Sequence, residues 1–77
     1  MSPEPKPPFN VQLGKNIARL RHKKSLTQEA LAETSQISTR YLQDLEAGKY
    51  CPTLLMAERL RKGLGCSWED LLKSCRG

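Results

Sequence analysis

Thr39, Arg40, Gln43 and Asp44 bring four hydrogen-bonding side chains within six residues. An arginine fork can meet O6 and N7 of guanine, a glutamine amide can meet N6 and N7 of adenine, and a carboxylate can accept from cytosine N4. A threonine offers thymine a methyl or another group its hydroxyl. Catalysis has less to work with. The single histidine, His22, stands beside Lys23 and Lys24 with no carboxylate or nucleophile next to it, and acid–base or covalent catalysis needs such a partner. The chain reads as a non-enzyme. Cys51, Cys66 and Cys75 are odd in number and form no C-x-x-C pair, so a tetrahedral zinc site would have to borrow carboxylates. No metal or other cofactor is expected. Cysteines in odd number, with no secretion signal, suit a reducing compartment. A redox-sensing thiol at Cys51, close to Lys49, is the alternative use of that residue.

Side chains of this kind need helices to hold them outward, and the pattern supplies five. After Asn10, read as an N-cap, Leu13, Ile17 and Leu20 form the stripe of a first helix over about 10–24, with Lys15, Arg19, His22 and Lys23 on its other faces. Thr27 caps a second over 27–35, where Glu29 complements the dipole and Ala30, Leu31 and Ala32 allow another helix close approach. Ser38 caps a third over 38–47, ended by Gly48, a residue type suited to the left-handed conformation past a helix end. Thr53 opens a fourth over 53–63 with Leu54, Ala57, Leu60 and Leu64 at helical spacing and Gly63 and Gly65 ending it. Ser67 opens a fifth over 67–74 that carries Trp68, Leu71 and Leu72. No strand alternation or internal repeat competes, and the expected class is an all-α bundle over 10–74. Residues 1–9, with Pro3, Pro5, Pro7 and Pro8, read as a flexible arm that cannot be helix interior.

Seventy-seven residues allow one domain near the lower limit for a self-sufficient core, which leaves little room for a deep substrate pocket. The 38% hydrophobic and 27% charged composition is that of a folded domain. No apolar run approaches the ~20 residues that a bilayer needs, so the expected location is cytoplasmic, with no membrane partner. Thirteen Lys and Arg against eight Asp and Glu give a net charge of +5, which favours a polyanionic partner.

On a wheel of the third helix, Leu42 and Leu45 with Tyr41 at their edge lie opposite Thr39, Arg40, Gln43, Asp44 and the small Ala47. Any surface helix is polar outward, so the second helix carries part of the argument. Its amide end at Thr27 to Glu29 can receive an anion, with Gln28 placed to bond a phosphate oxygen. Ser38, Tyr41, Lys49 and Tyr50 complete the expected phosphate contacts, around base contacts from Thr39, Arg40, Gln43 and Asp44.

The stretch LGKNIARLRHKKSLTQEALAETSQISTRYLQDLEAGKYCPTL resembles the helix-turn-helix domain of phage repressors, Cro proteins and the xenobiotic-response-element regulators. The resemblance runs from about Leu13 to Leu72 and implies a five-helix, lambda-repressor-like domain whose second and third helices read DNA. It also implies that Gln28 meets phosphate and that Arg21 and Glu46 form a structural ion pair tying the first helix to the end of the third. Three positions depart from the family pattern. Gln36 stands where a turn glycine is common and carries a strain of ~1 kcal/mol if left-handed. Asp44 stands where a polar or basic residue is usual, so it either accepts from cytosine or fixes Arg40 four residues earlier. Arg61 stands where Ala is frequent and must sit in an open spot or snorkel outward.

The expected function is a sequence-specific double-stranded DNA-binding transcriptional regulator, a repressor or an activator. One module reads few base pairs, so a homodimer on half-sites ~34 Å apart is the expected working form. Leu55, Trp68, Leu71 and Leu72 are candidates for its patch, with ordinary core positions as the competing assignment. The alternative function is an antitoxin or adaptor whose main partner is another protein.

Overall fold

Among the described residues, four hydroxyl side chains start four of the five helices. In this computed structural model, which describes residues 8–76, Thr27 Oγ1 accepts from the Ala30 amide at 3.0 Å and opens α2, Gln28–Ser35. Ser38 does the same for α3, Thr39–Glu46, Thr53 for α4, Leu54–Leu64, and Ser67 for α5, Trp68–Leu71. Each cap satisfies an amide that the helix itself leaves without a partner.

The first helix starts differently. Helix α1 spans Phe9–Lys23 with Pro8 as its N-cap and no side-chain cap, so Asn10 lies inside the helix. Proline lacks the N–H that a helix start would leave unbonded, and Phe9 packs against the core. The expected arm therefore gives up Phe9 to the domain, and its residues 1–7 lie outside the described residues.

Helix α1 packs on α3 and α5, and α2 on α3 and α4. Between them lie Leu13, Ile17, Leu31, Leu42, Leu45, Leu60, Leu64 and Leu71, all buried. At one crossing the backbones nearly touch: a Cβ added to Gly14 would collide with the carbonyl oxygens of Leu45 and Glu46. Helix α3 is thus backed directly by the main chain of α1.

Two turns at the ends of α2 and α3 share one device. At the end of α3, Gly48 takes φ +78°, its amide bonds to Leu45 O, and the Lys49 amide bonds back to Asp44 O at 3.0 Å. At the end of α2, Gln36 takes φ +58° with the equivalent bonds from Gln36 to Glu33 and from Ile37 to Ala32. These are Schellman closures. The left-handed Gln36 is the strained alternative expected from the sequence.

The fourth and fifth helices differ in detail from expectation. Gly63 lies within α4 against Ser35, and Gly65 is the residue that ends it. Leu54, on the expected core stripe, is 77% exposed. Helix α5 closes at Leu71 rather than near residue 74, where Ser74 takes a left-handed φ of +63°, and buried Asn16 holds the end of the helix and the chain beyond it. Its Nδ2 donates to Leu71 O at 2.9 Å and to Lys73 O at 2.8 Å. Among the described residues no helix is long and apolar enough to cross a membrane.

Candidate nucleic-acid interface

Helix α3 is held from beneath by apolar packing and from its end by charge. Leu42 and Leu45 are buried, and Tyr41 rests half-buried against the same core. At the carboxyl end, Glu46 accepts from Arg21 Nε at 2.7 Å and from its Nη2 at 3.0 Å, and Arg21 Nη1 donates to Leu26 O. Both side chains of this pair are about nine-tenths buried. The Glu46 hydrogen bonds, set against burial, hold the Arg21 pKa above its ordinary value. A bidentate arginine–carboxylate pair fixes orientation as well as distance, so α1, the turn after it and the end of α3 are joined at one point.

Gln28 joins the same cluster, donating Nε2 to Glu46 Oε1 at 3.1 Å. Its amide carries two N–H donors, and one of them is now committed inside the protein. The cluster thereby links the start of α2, the expected phosphate-facing end, to the end of α3. Thr27 at that end is exposed, with its hydroxyl engaged as a cap.

Facing solvent on α3 are Arg40 and Gln43, with Ala47 exposed just past its end and Thr39 half-buried at its start. Ser38 is exposed at one end of the helix, and Lys49 and Tyr50 at the other. Ser38, Arg40 and Tyr50 line one hollow beside α3. A helix of this diameter fits the major groove, and a small residue on its outward face lets the backbone approach the bases.

Asp44 lies at the edge of that outward face, in the same hollow, which it lines with Ser38, Arg40, Tyr41 and Tyr50. Its side chain is only 12% exposed and lies between Arg40 Nε at 3.4 Å and Lys49 Nζ at 3.5 Å. The wheel set Asp44 on the outward face, where Arg40 and Lys49 now flank its carboxylate. The carboxylate takes the second of its two expected arrangements, paired with Arg40 four residues before it, and Lys49 stands on its other side.

The expected dimer patch also changes. Leu71 is fully buried in the core and cannot contribute to a surface. Leu54, Trp68 and Leu72 instead line a common hollow with Phe9 and Pro52, whereas exposed Leu55 borders a separate one beside Gln36 and Arg59. The Arg61 guanidinium stacks 5.2 Å from the Trp68 ring centroid, which accounts for its place on α4. Sequence reasoning missed Leu54, because helical spacing shows which stripe turns inward but not where along the helix a partner stops.

The geometry defines a helix-turn-helix module with an open recognition helix. Comparison with known proteins agrees: residues 17–71 match the Helix-turn-helix family, and the chain belongs to this family of phage-repressor-like, DNA-binding transcriptional regulators. It is 42% identical over 60 residues to HTH-type transcriptional regulator y4dJ of Sinorhizobium fredii, covering 78% of each chain. It is 38% identical over 55 residues to the immunity repressor protein of Bacillus phage phi105, covering 71% of this chain and 38% of the repressor. Among solved structures, the clp gene regulator ClgR of C. glutamicum superposes with a TM-score of 0.83 at 31% identity, over 91% of this chain and 90% of that one.

Proposed function

We propose that the chain regulates transcription by placing α3 in the major groove of a preferred double-stranded DNA sequence. The observation that carries this reading is the outward face of α3, where Arg40 and Gln43 stand free of the core on a helix anchored from behind by Arg21 and Glu46. Arg40 and Gln43 read base edges, with Thr39 beside them. Thr27, the second N–H of Gln28, Ser38, Tyr41, Lys49 and Tyr50 meet the flanking phosphates and set the register. The site of action is the cytoplasm, where such a regulator meets its DNA.

The working form is a homodimer on two half-sites about one helical turn, ~34 Å, apart. Its apolar contact is the hollow of Leu54, Trp68 and Leu72, side chains that a second copy would remove from water. An anisotropy titration against duplexes selected from a random library, at several salt concentrations, tests the proposal. A selected duplex bound far more tightly than its scrambled counterpart, with affinity falling as salt rises, is the expected result. Binding to a protein partner with no preference among duplexes would favour the adaptor reading instead.

A further inference from the structure

The Asp44 carboxylate is nearly enclosed, and two cations converge on it: Arg40 from the reading face of α3 and Lys49 from the turn beyond it. Both cations are themselves largely open to solvent, with side chains 78% and 57% exposed. We propose that Asp44 is a specificity-determining positioning residue, which holds Arg40 and Lys49 on one shared carboxylate and so suppresses binding to DNA of the wrong sequence. The proposal rests on the DNA-reading function given above.

The physical argument compares two ligands for the same cations. Any duplex brings phosphates toward Lys49, and these compete with Asp44 for it while the carboxylate itself is repelled. That opposition is the same for every sequence. Only where Arg40 meets a guanine does a bidentate bond form that offsets it. A neutral residue at position 44 removes that opposition everywhere and also releases Arg40 from the one posture that Asp44 holds, so the arginine can turn to acceptors on other base pairs and affinity for scrambled DNA rises more than affinity for the preferred duplex. The Schellman turn at Gly48 makes the arrangement reproducible, because the bond from the Lys49 amide to Asp44 O fixes where the lysine side chain begins.

The test uses the full chain, a duplex selected from a random library, and a scrambled duplex of equal length. Asp44→Asn is nearly isosteric, and Asp44→Ser gives a second neutral variant should the first lower the melting temperature. For either variant, affinity for the scrambled duplex is expected to rise severalfold. The ratio of selected to scrambled affinity should fall about as much, and the salt dependence on both duplexes should steepen by about one counterion. Adding Lys49→Ala to Asp44→Asn should return the salt slope to the wild-type value without restoring the ratio. An unchanged slope and ratio in a folded variant would overturn the proposal. Weaker binding of every duplex would also overturn it, since the carboxylate would then be a direct DNA contact. Because the slope is read on any duplex, it tests Asp44 separately from sequence preference. A wild-type protein with no preference refutes the reading of sequence, whereas a discriminating wild type matched by its Asp44 variants refutes only the role of Asp44.

Discussion

Two ionic clusters flank α3, and they are built on opposite terms. Arg21 and Glu46 are nearly buried, bidentate and supported by Leu26 O and Gln28. Arg40, Asp44 and Lys49 place one enclosed carboxylate between two exposed cations at 3.4 and 3.5 Å. The first cluster turns its arginine inward, whereas the second keeps its cations loosely held and available. In so small a domain the same helix is anchored by one set of charges and presented to a partner by another, and ion pairs of similar composition do different work according to burial.

The contrast can be tested most forcefully at Glu46. Glu46→Ala leaves the Arg21 guanidinium enclosed without its carboxylate and is expected to lower stability by about 3–5 kcal/mol, seen as a lower denaturation midpoint. Replacing both partners together, Arg21→Met with Glu46→Leu, should recover much of that loss, because no uncompensated charge remains. DNA binding should weaken in Glu46→Ala only in step with the unfolded fraction.

Arg40 and Lys49 should respond the other way. Arg40→Ala is expected to leave melting unchanged and to lose about 1–3 kcal/mol of discrimination at one base pair, measured against a panel of single-base variants of the selected duplex. Lys49→Ala should weaken all duplexes alike and reduce the salt slope by about one. Equal losses on matched and mismatched duplexes for Arg40→Ala would erase the distinction between the two clusters.

Smaller effects sharpen the same division. Gln36→Gly relieves a left-handed residue at φ +58° and should raise stability by up to about 1 kcal/mol without altering DNA preference, as read from thermal melting and the same panel. The thiols should separate too. Burial pushes the Cys66 and Cys75 pKa values up, and Cys51 is exposed beside Arg40 and Tyr50. Timed alkylation at neutral pH should label Cys51 first, since a raised pKa leaves less of the reactive thiolate. The sign for stability follows: a thiol whose pKa is raised by folding helps the folded state below about pH 9 and loses that contribution as pH rises toward its folded value.

The hydroxyl caps at Thr27, Ser38, Thr53 and Ser67 were legible because each residue type has a strong local preference that the fold leaves intact. Gly48 was legible for the same reason. Ser25 and Gln36, left-handed as well, were harder, because tertiary packing supplies what their residue types do not. The start of α1 was obscured by prolines that suited an arm as well as a helix boundary. Asn16 gave no signal at all: its bonds span 55 and 57 residues of sequence, and nothing local marks a polar side chain chosen for the core. Of the interface, the exposed positions of Arg40 and Gln43 followed from periodicity, while the enclosure of Asp44 depends on Lys49, which reaches it from beyond the end of the helix.

Gly14 bears on how such a protein can change its target. Where α1 meets the tail of α3 there is no intervening side chain, only peptide groups in near contact, and main chains yield far less than rotamers do. The depth to which the probe projects is therefore set by a rigid stop. New letters can be substituted on its outer edge while the stop stays in place, so preference for a site can drift without the posture of the probe having to be learned again.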